Sequence, residues 1–125
     1  MPELSGVVNF IGEVEKVKGD ISTIVIYPQY AQGLNGVDAY KWLYVLYWLH
    51  KGDNPERRAT LMVVPRRHGA TEKRGVFSTH SPHRPNPIGL TTAELVKVDG
   101  NHLTVRGLDA FEGSPIVDIK PEEHN

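Results

Sequence analysis

The stretch Ser81-Pro82-His83-Arg84-Pro85-Asn86-Pro87-Ile88-Gly89 restricts the fold of this 125-residue chain more than any other. Its three prolines in nine residues each fix φ, remove a backbone donor and push the preceding residue out of helical geometry, so the stretch is not a helix. It is not a central strand either, because the ladder would lose several hydrogen bonds. What remains is a stiff loop that presents His, Arg and Asn at set positions. Such a loop loses little entropy on binding, which is what a ligand site requires.

Around that loop the sequence reads as strands. Val7 to Val14 is a mixed apolar run holding two glycines, which predicts a strand that bends or bulges. Ile21 to Tyr27 is a β-branched run ended by Pro28. Gln29 to Leu34 has room for a single helical turn, stopped by Gly33 or Gly36. Lys41 to His50 is apolar at both parities, which predicts a strand covered on both sides. Lys51 to Glu56 reads as a loop and Ala59 to Val64 as another strand. Leu90 to Val98, the turn Asp99-Gly100-Asn101 and Leu103 to Val105 form a hairpin, and Pro115 to Ile119 is the last strand. Little of the chain shows a 3.6-residue period. Short strands at steady spacing predict a mainly β fold: a small closed or nearly closed antiparallel β-barrel with one or two short helices, residues 1–125 forming one domain.

Composition narrows the function. A net charge of −1 announces no global nucleic-acid field. The charge is nevertheless uneven: Arg57, Arg58, Arg66, Arg67, His68, Lys73 and Arg74 crowd one segment. That segment is either a solvated face or a local anion-binding surface. With no cysteine there is no disulfide and no thiolate metal site. The six histidines lack metal-ligand spacing, so no metal is expected. The start of the chain has no signal-peptide pattern, and the longest apolar-rich run, Trp42 to Leu49, is too short to span a bilayer. The expectation is a cytoplasmic protein with no membrane partner.

Several residues can carry chemistry. Arg84 offers a planar fork for a carboxylate or phosphate, or else it caps a carbonyl of its own loop. Asn86 can donate and accept at once, and Gly89 lets a backbone approach closely. Asp118 and Lys120 share one face of a short strand, either as a surface ion pair or as a brace for Arg84. His50, His80 and His83 read as packing or hydrogen-bonding residues. Tyr40, Trp42, Tyr44, Tyr47 and Trp48 read as core and interface more readily than as a base-stacking platform. A Rossmann fingerprint, a P-loop and a nucleophile elbow are all missing.

The run from Gly75 to Leu90 closely resembles one signature of the TsaA-like family, and Gly107 to Pro121 resembles its second; Tyr30 to Leu34 and the aliphatic run ending in Leu49-His50 fit as well. The resemblance implies a β-barrel methyltransferase that uses S-adenosylmethionine and works as a homodimer. Its substrate would be the exocyclic nitrogen of threonylcarbamoyladenosine beside the anticodon, within the tRNA anticodon arm. By matching position, cofactor contacts would fall on His50, Lys51, His80, Leu90, Phe111, Glu112, Gly113 and Ser114, with Arg84, Asn86, Asp118 and Lys120 shaping the site. The acceptor nitrogen needs a proton acceptor; the candidates are Asp118, Asp109 and His83. Arg57, Arg58, Arg66, Arg67 and Arg74 would hold phosphates of the tRNA. The family usually carries Arg where this chain has His80, and Asp-Gly-Thr where it has Glu112-Gly113-Ser114. It also carries a Pro-Arg-Gln segment that is missing here, where the chain passes almost directly from Val14 to Ile21. The alternatives are a methyltransferase of the same fold on another substrate, and a non-catalytic dimeric module that binds adenosyl ligands.

Overall fold

Two tight turns organise the strands in the computed structural model, which describes residues 3–65, 69 and 71–123. Gly19 (φ 62°) reverses the chain between β1 (Gly12–Lys18) and β2 (Ile21–Ile26). β3 (Trp42–Trp48) follows two 3-10 turns, Pro28–Leu34 and Val37–Ala39. A further 3-10 turn (His50–Gly52) and the helix α1 (Pro55–Ala59) lead to a small ribbon, β4 (Met62–Val63) with β5 (Arg74–Gly75). After the 3-10 turn Val76–Ser78 and the proline loop come β6 (Ile88–Asp99) and β7 (His102–Arg106), joined through Gly100 (φ 61°), and finally β8 (Pro115–Pro121). Positive φ is the reason for glycine at both hairpin turns.

Six strands close into an antiparallel barrel in the order β1-β2-β7-β6-β3-β8. The closing seam is narrow: β1 meets β8 only through Gly12 opposite Ile116 and Glu13 opposite Pro115. Gly12 sits there because a β-carbon would run into the carbonyl oxygen of Val25 on β2. Three register shifts, at Val14/Lys16, Leu46/Tyr47 and Leu95/Lys97, bend the strands enough to close so small a ring. They also correct the alternation. On β8 the shift lets both Ile116 and Ile119 face inward, and on β6 the other lets both Leu95 and Val98 do so. The interior is filled by Val14, Ile24, Ile26, Leu43, Val45, Ala93, Leu103, Val105 and Ile116. Each large buried aliphatic contributes about 1.5–3 kcal/mol by leaving water.

The expected barrel is present, with one α-helical turn and four 3-10 turns. The local readings need correction in places. The first strand begins at Gly12 rather than Val7: residues 3–10 join no strand ladder, and Ile11 only leads in, donating to the Ile116 carbonyl and accepting the Tyr27 N–H, each at 2.9 Å. β3 is buried on one face only: Leu43, Val45 and Tyr47 point into the core, while Trp42 is exposed and Tyr44, Leu46 and Trp48 are half-covered. The strand expected over Ala59–Val64 shrinks to Met62–Val63 because α1 occupies Pro55–Ala59. Asn54 caps that helix by accepting from the Arg57 N–H at 2.8 Å, with Pro55 at its first position.

Candidate active site

Four pieces of chain converge on a cleft of about 1090 Å³. The end of β3 and the following turn bring Tyr47, Trp48, His50, Lys51 and Gly52, and α1 brings Arg57. The Val76–Ser78 turn and the first half of the proline loop bring Phe77, Thr79, His80, Ser81 and Arg84; the start of β6 and the β7–β8 loop add Gly89, Leu90, Asp109, Phe111 and Ser114. Phe77, Leu90 and Phe111 form an apolar rim, 77%, 55% and 61% exposed. The Lys51 ammonium lies 4.2 Å from the Phe111 ring centre. Nδ1 of His50 is buried without a hydrogen-bond partner. Size, apolar rims and an unsatisfied buried acceptor or donor fit a nucleoside-sized polar ligand.

The walls are held by local clamps. Nη1 of Arg84 donates to the carbonyls of Val76 (2.9 Å), Thr79 (2.9 Å) and Ser81 (3.2 Å), locking the proline loop against the preceding turn. On the facing wall, Asp53 accepts from Nε and Nη2 of Arg58 (2.7 and 2.9 Å) and from Nε1 of Trp48 (3.1 Å). These bonds, foremost those from Arg58, lower the Asp53 carboxyl to about 2. The Arg58 guanidinium also stacks 5.4 Å from the Trp48 ring, and Phe10 meets the same ring edge-on at 5.6 Å. Tyr47 shares a 3.0 Å hydrogen bond with Thr91, whose hydroxyl also receives the Asp109 N–H at 3.4 Å. Burial pushes the Tyr47 phenol up, and the Asp109 charge pushes the same way.

Residues 13–124 match the family described as the tRNA-methyltransferase O N-terminal domain. The chain belongs to that family. It is 50% identical over 100 residues to a probable S-adenosyl-L-methionine-binding protein of Methanothermobacter thermautotrophicus, a match over 80% of this chain and 68% of that protein. It is 44% identical over 88 residues to the mouse tRNA (adenine(37)-N6)-methyltransferase, a match over 70% of this chain and 20% of the mouse protein. A solved structure, the crystal structure of TrmO from Pseudomonas aeruginosa, superposes with a TM-score of 0.73 at 21% identity, covering 96% of this chain and 57% of that one. At that identity the likeness concerns the fold.

The cleft divides the residues carried over by resemblance. His50, Lys51, His80, Arg84, Leu90, Phe111 and Ser114 line the cleft. Asn86, Glu112, Gly113 and Lys120 do not. Asn86 is exposed. Glu112 accepts the Val17 N–H at 3.0 Å, and Gly113, at φ 86°, donates its N–H to the Val14 carbonyl at 2.7 Å, so both serve the turn onto β1. Among the proton-acceptor candidates Asp109 borders the cleft, whereas His83 and Asp118 do not. The register shift on β8 puts Asp118 and Lys120 on the outward face. Asp118 accepts the Ile119 N–H at 2.9 Å and borders a second cavity of about 540 Å³ that shares no lining residue with the first. Among the described residues it forms no ion pair with Lys120 and does not brace Arg84. Arg66 and Arg67 lie outside the described residues. Arg58 is consumed by Asp53, Arg74 is exposed on β5, and Arg57 lines the cleft. Sequence reasoning missed Asp53 as the acid that braces the cleft wall, and it read Tyr47 as core, where it lies, without placing it against the cleft. The Asn54-Pro55 helix start was a readable signal for the first, and the second depends on strand register.

Proposed function

We propose that this chain is an S-adenosylmethionine-dependent methyltransferase domain acting on tRNA, with the exocyclic nitrogen of threonylcarbamoyladenosine beside the anticodon as acceptor. It works in the cytoplasm, where that tRNA is used, as a pair of identical chains. The observation that carries the reading is the convergence of His50, Lys51, His80, Arg84, Leu90, Phe111 and Ser114 on one cleft, from segments far apart in sequence. The names carried by relatives supply the ligand class. Those residues would hold the donor, with Leu90 and Phe111 offering apolar surface to a purine. When bound, the donor supplies an electrophilic methyl group on a sulfonium sulfur.

The chain's own part is position and proton handling. The Arg84 clamp and the Asp53 clamp set the two walls in advance, so ordering costs are met on folding rather than on binding. The acceptor nitrogen lies between a purine and a carbonyl, so its proton must leave as the new bond forms. Asp109 takes that proton on its carboxylate, being the candidate that borders the cleft. Arg74, exposed on β5, meets anticodon-arm phosphates, which makes affinity fall with salt.

The test is methyl transfer from radiolabelled donor into two tRNA preparations, one carrying threonylcarbamoyladenosine and one from cells that cannot make it. Label in the first alone is expected. Label in both removes the proposed acceptor, and label in neither, with the donor still bound, removes the activity.

A further inference from the structure

We infer that Arg57 is the carboxylate receptor of the cleft, an inference that rests on the reading just given. Arg57 and Arg58 are neighbours on α1, about 100° apart around the helix, and they meet different surroundings. Arg58 is spent: both oxygens of Asp53 hold its fork, and its plane stacks on Trp48. Asp53 is spent as well, since one of the same oxygens also accepts the Trp48 indole N–H. Asp53 forms no ion pair with Arg57, and no salt bridge to Arg57 is formed among the described residues.

Its side chain instead lines the cleft and lies directly over Gly52, where any β-carbon would collide with the guanidinium. A glycine at that turn is what leaves room for the arginine to reach inward. The charges of the cleft call for an anion. Among its described lining residues the cations Lys51, Arg57 and Arg84 stand against Asp109 as the one acid. Arg84 already spends Nη1 on three carbonyls, and Lys51 rests on Phe111. Arg84 keeps only its Nε–Nη2 edge, whereas Arg57 is the half-buried fork of the cleft with no protein acceptor on any of its guanidinium nitrogens among the described residues. Both partners of the proposed reaction bring a carboxylate into that space: the amino-acid tail of the donor and the threonyl group of the acceptor. Backbone phosphates of a tRNA would lie at the rim.

The experiment compares wild type with Arg57→Gln and Arg57→Lys. Calorimetry measures binding of S-adenosylhomocysteine and of its decarboxylated analogue, and steady-state kinetics use threonylcarbamoyl-tRNA. If the donor's carboxylate is the ligand, wild type prefers S-adenosylhomocysteine by about tenfold to a hundredfold, the range of a charge-assisted pair, and Arg57→Gln brings the preference close to one. If the acceptor's carboxylate is the ligand, Arg57→Gln leaves S-adenosylhomocysteine binding unchanged and raises KM for the tRNA about tenfold with kcat retained. In either case Arg57→Lys, which keeps charge without the fork, recovers part of the loss. Unchanged binding and KM in Arg57→Gln overturn the inference while leaving the methyltransferase reading in place. A weaker but salt-shallower affinity for every tRNA overturns it in favour of a phosphate contact. A wild-type chain that binds no S-adenosylhomocysteine overturns the reading of the cleft and this inference with it.

Discussion

Replacing Gly89 with alanine should unseat Tyr47 and destabilise the barrel where it forms the cleft. Gly89 lies opposite Tyr47 across β3 and β6. Its backbone is not left-handed, so alanine is conformationally acceptable there. The obstacle is space: a β-carbon would stand 2.5 Å from Cε2 and 2.7 Å from Cζ of the tyrosine ring, and 3.1 Å from Cδ2 of Leu49. The Leu49 tip can swing away. The ring is 5% exposed and tied to Thr91, so it must shift as a unit. Overpacking costs about 1–3 kcal/mol, and losing the hydroxyl bond adds about 1 kcal/mol. The expected loss is about 2–4 kcal/mol, read as a lower urea midpoint at unchanged slope. The decisive control is the same substitution in a Tyr47→Leu background. Leucine has no atoms at the Cε and Cζ positions, so the clash disappears, and alanine should then be neutral or stabilise by up to about 1 kcal/mol by restricting the unfolded chain. An equal loss in both backgrounds would refute the argument, since the ring would no longer be its cause.

Asp53→Asn tests the other wall: the Asp53 carboxyl falls from an ordinary 3.8 to about 2 on folding, so its contribution is complete above pH 4 and is lost as pH falls through about 2. The stability gap between wild type and Asp53→Asn, followed by urea denaturation, should therefore close between pH 4 and pH 2, and parallel curves would count against the clamp. Tyr47→Phe tests the raised phenol: stability from the neutral hydroxyl is present below the ordinary value of 10.0 and lost as pH rises through the higher folded value. Absorbance titration of the folded variant should lack one late-ionising tyrosine, with Tyr27 still titrating late, and an unchanged count of late phenols would oppose it.

The barrel was legible because its strands are short, β-branched and separated by Gly and Pro turns, which are local signals. The faces of those strands were less legible, because a bulge is invisible to a period of two. Val117 is the instructive case. One extra residue opposite Tyr47 sends Asp118 and Lys120 outward and brings Ile119 in. A reading that placed the charged pair beside the proline loop needed a straight strand. Tyr47 was hidden for the related reason that its partner is Gly89, a contact fixed by pairing across 42 positions of chain.

The two neighbouring arginines carry this lesson into the chemistry. In sequence, Arg57 and Arg58 are one basic patch, and phosphate binding is the natural expectation for both. A five-residue helix turns them apart, and one aspartate decides between them. Asp53 neutralises Arg58 and uses it, with Trp48, to brace the wall. The same carboxylate, already accepting three hydrogen bonds, forms no ion pair with Arg57 among the described residues. The positive charge that the cleft keeps is thus selected by an acid that never faces the ligand. This arrangement predicts an asymmetry between the two substitutions. Arg58→Gln should loosen the wall and weaken every cleft ligand alike, with or without a carboxylate, because it releases both Asp53 and Trp48. Arg57→Gln should leave the wall intact and discriminate among ligands by charge alone. Equal, ligand-independent losses from both would mean that the helix works only as a brace.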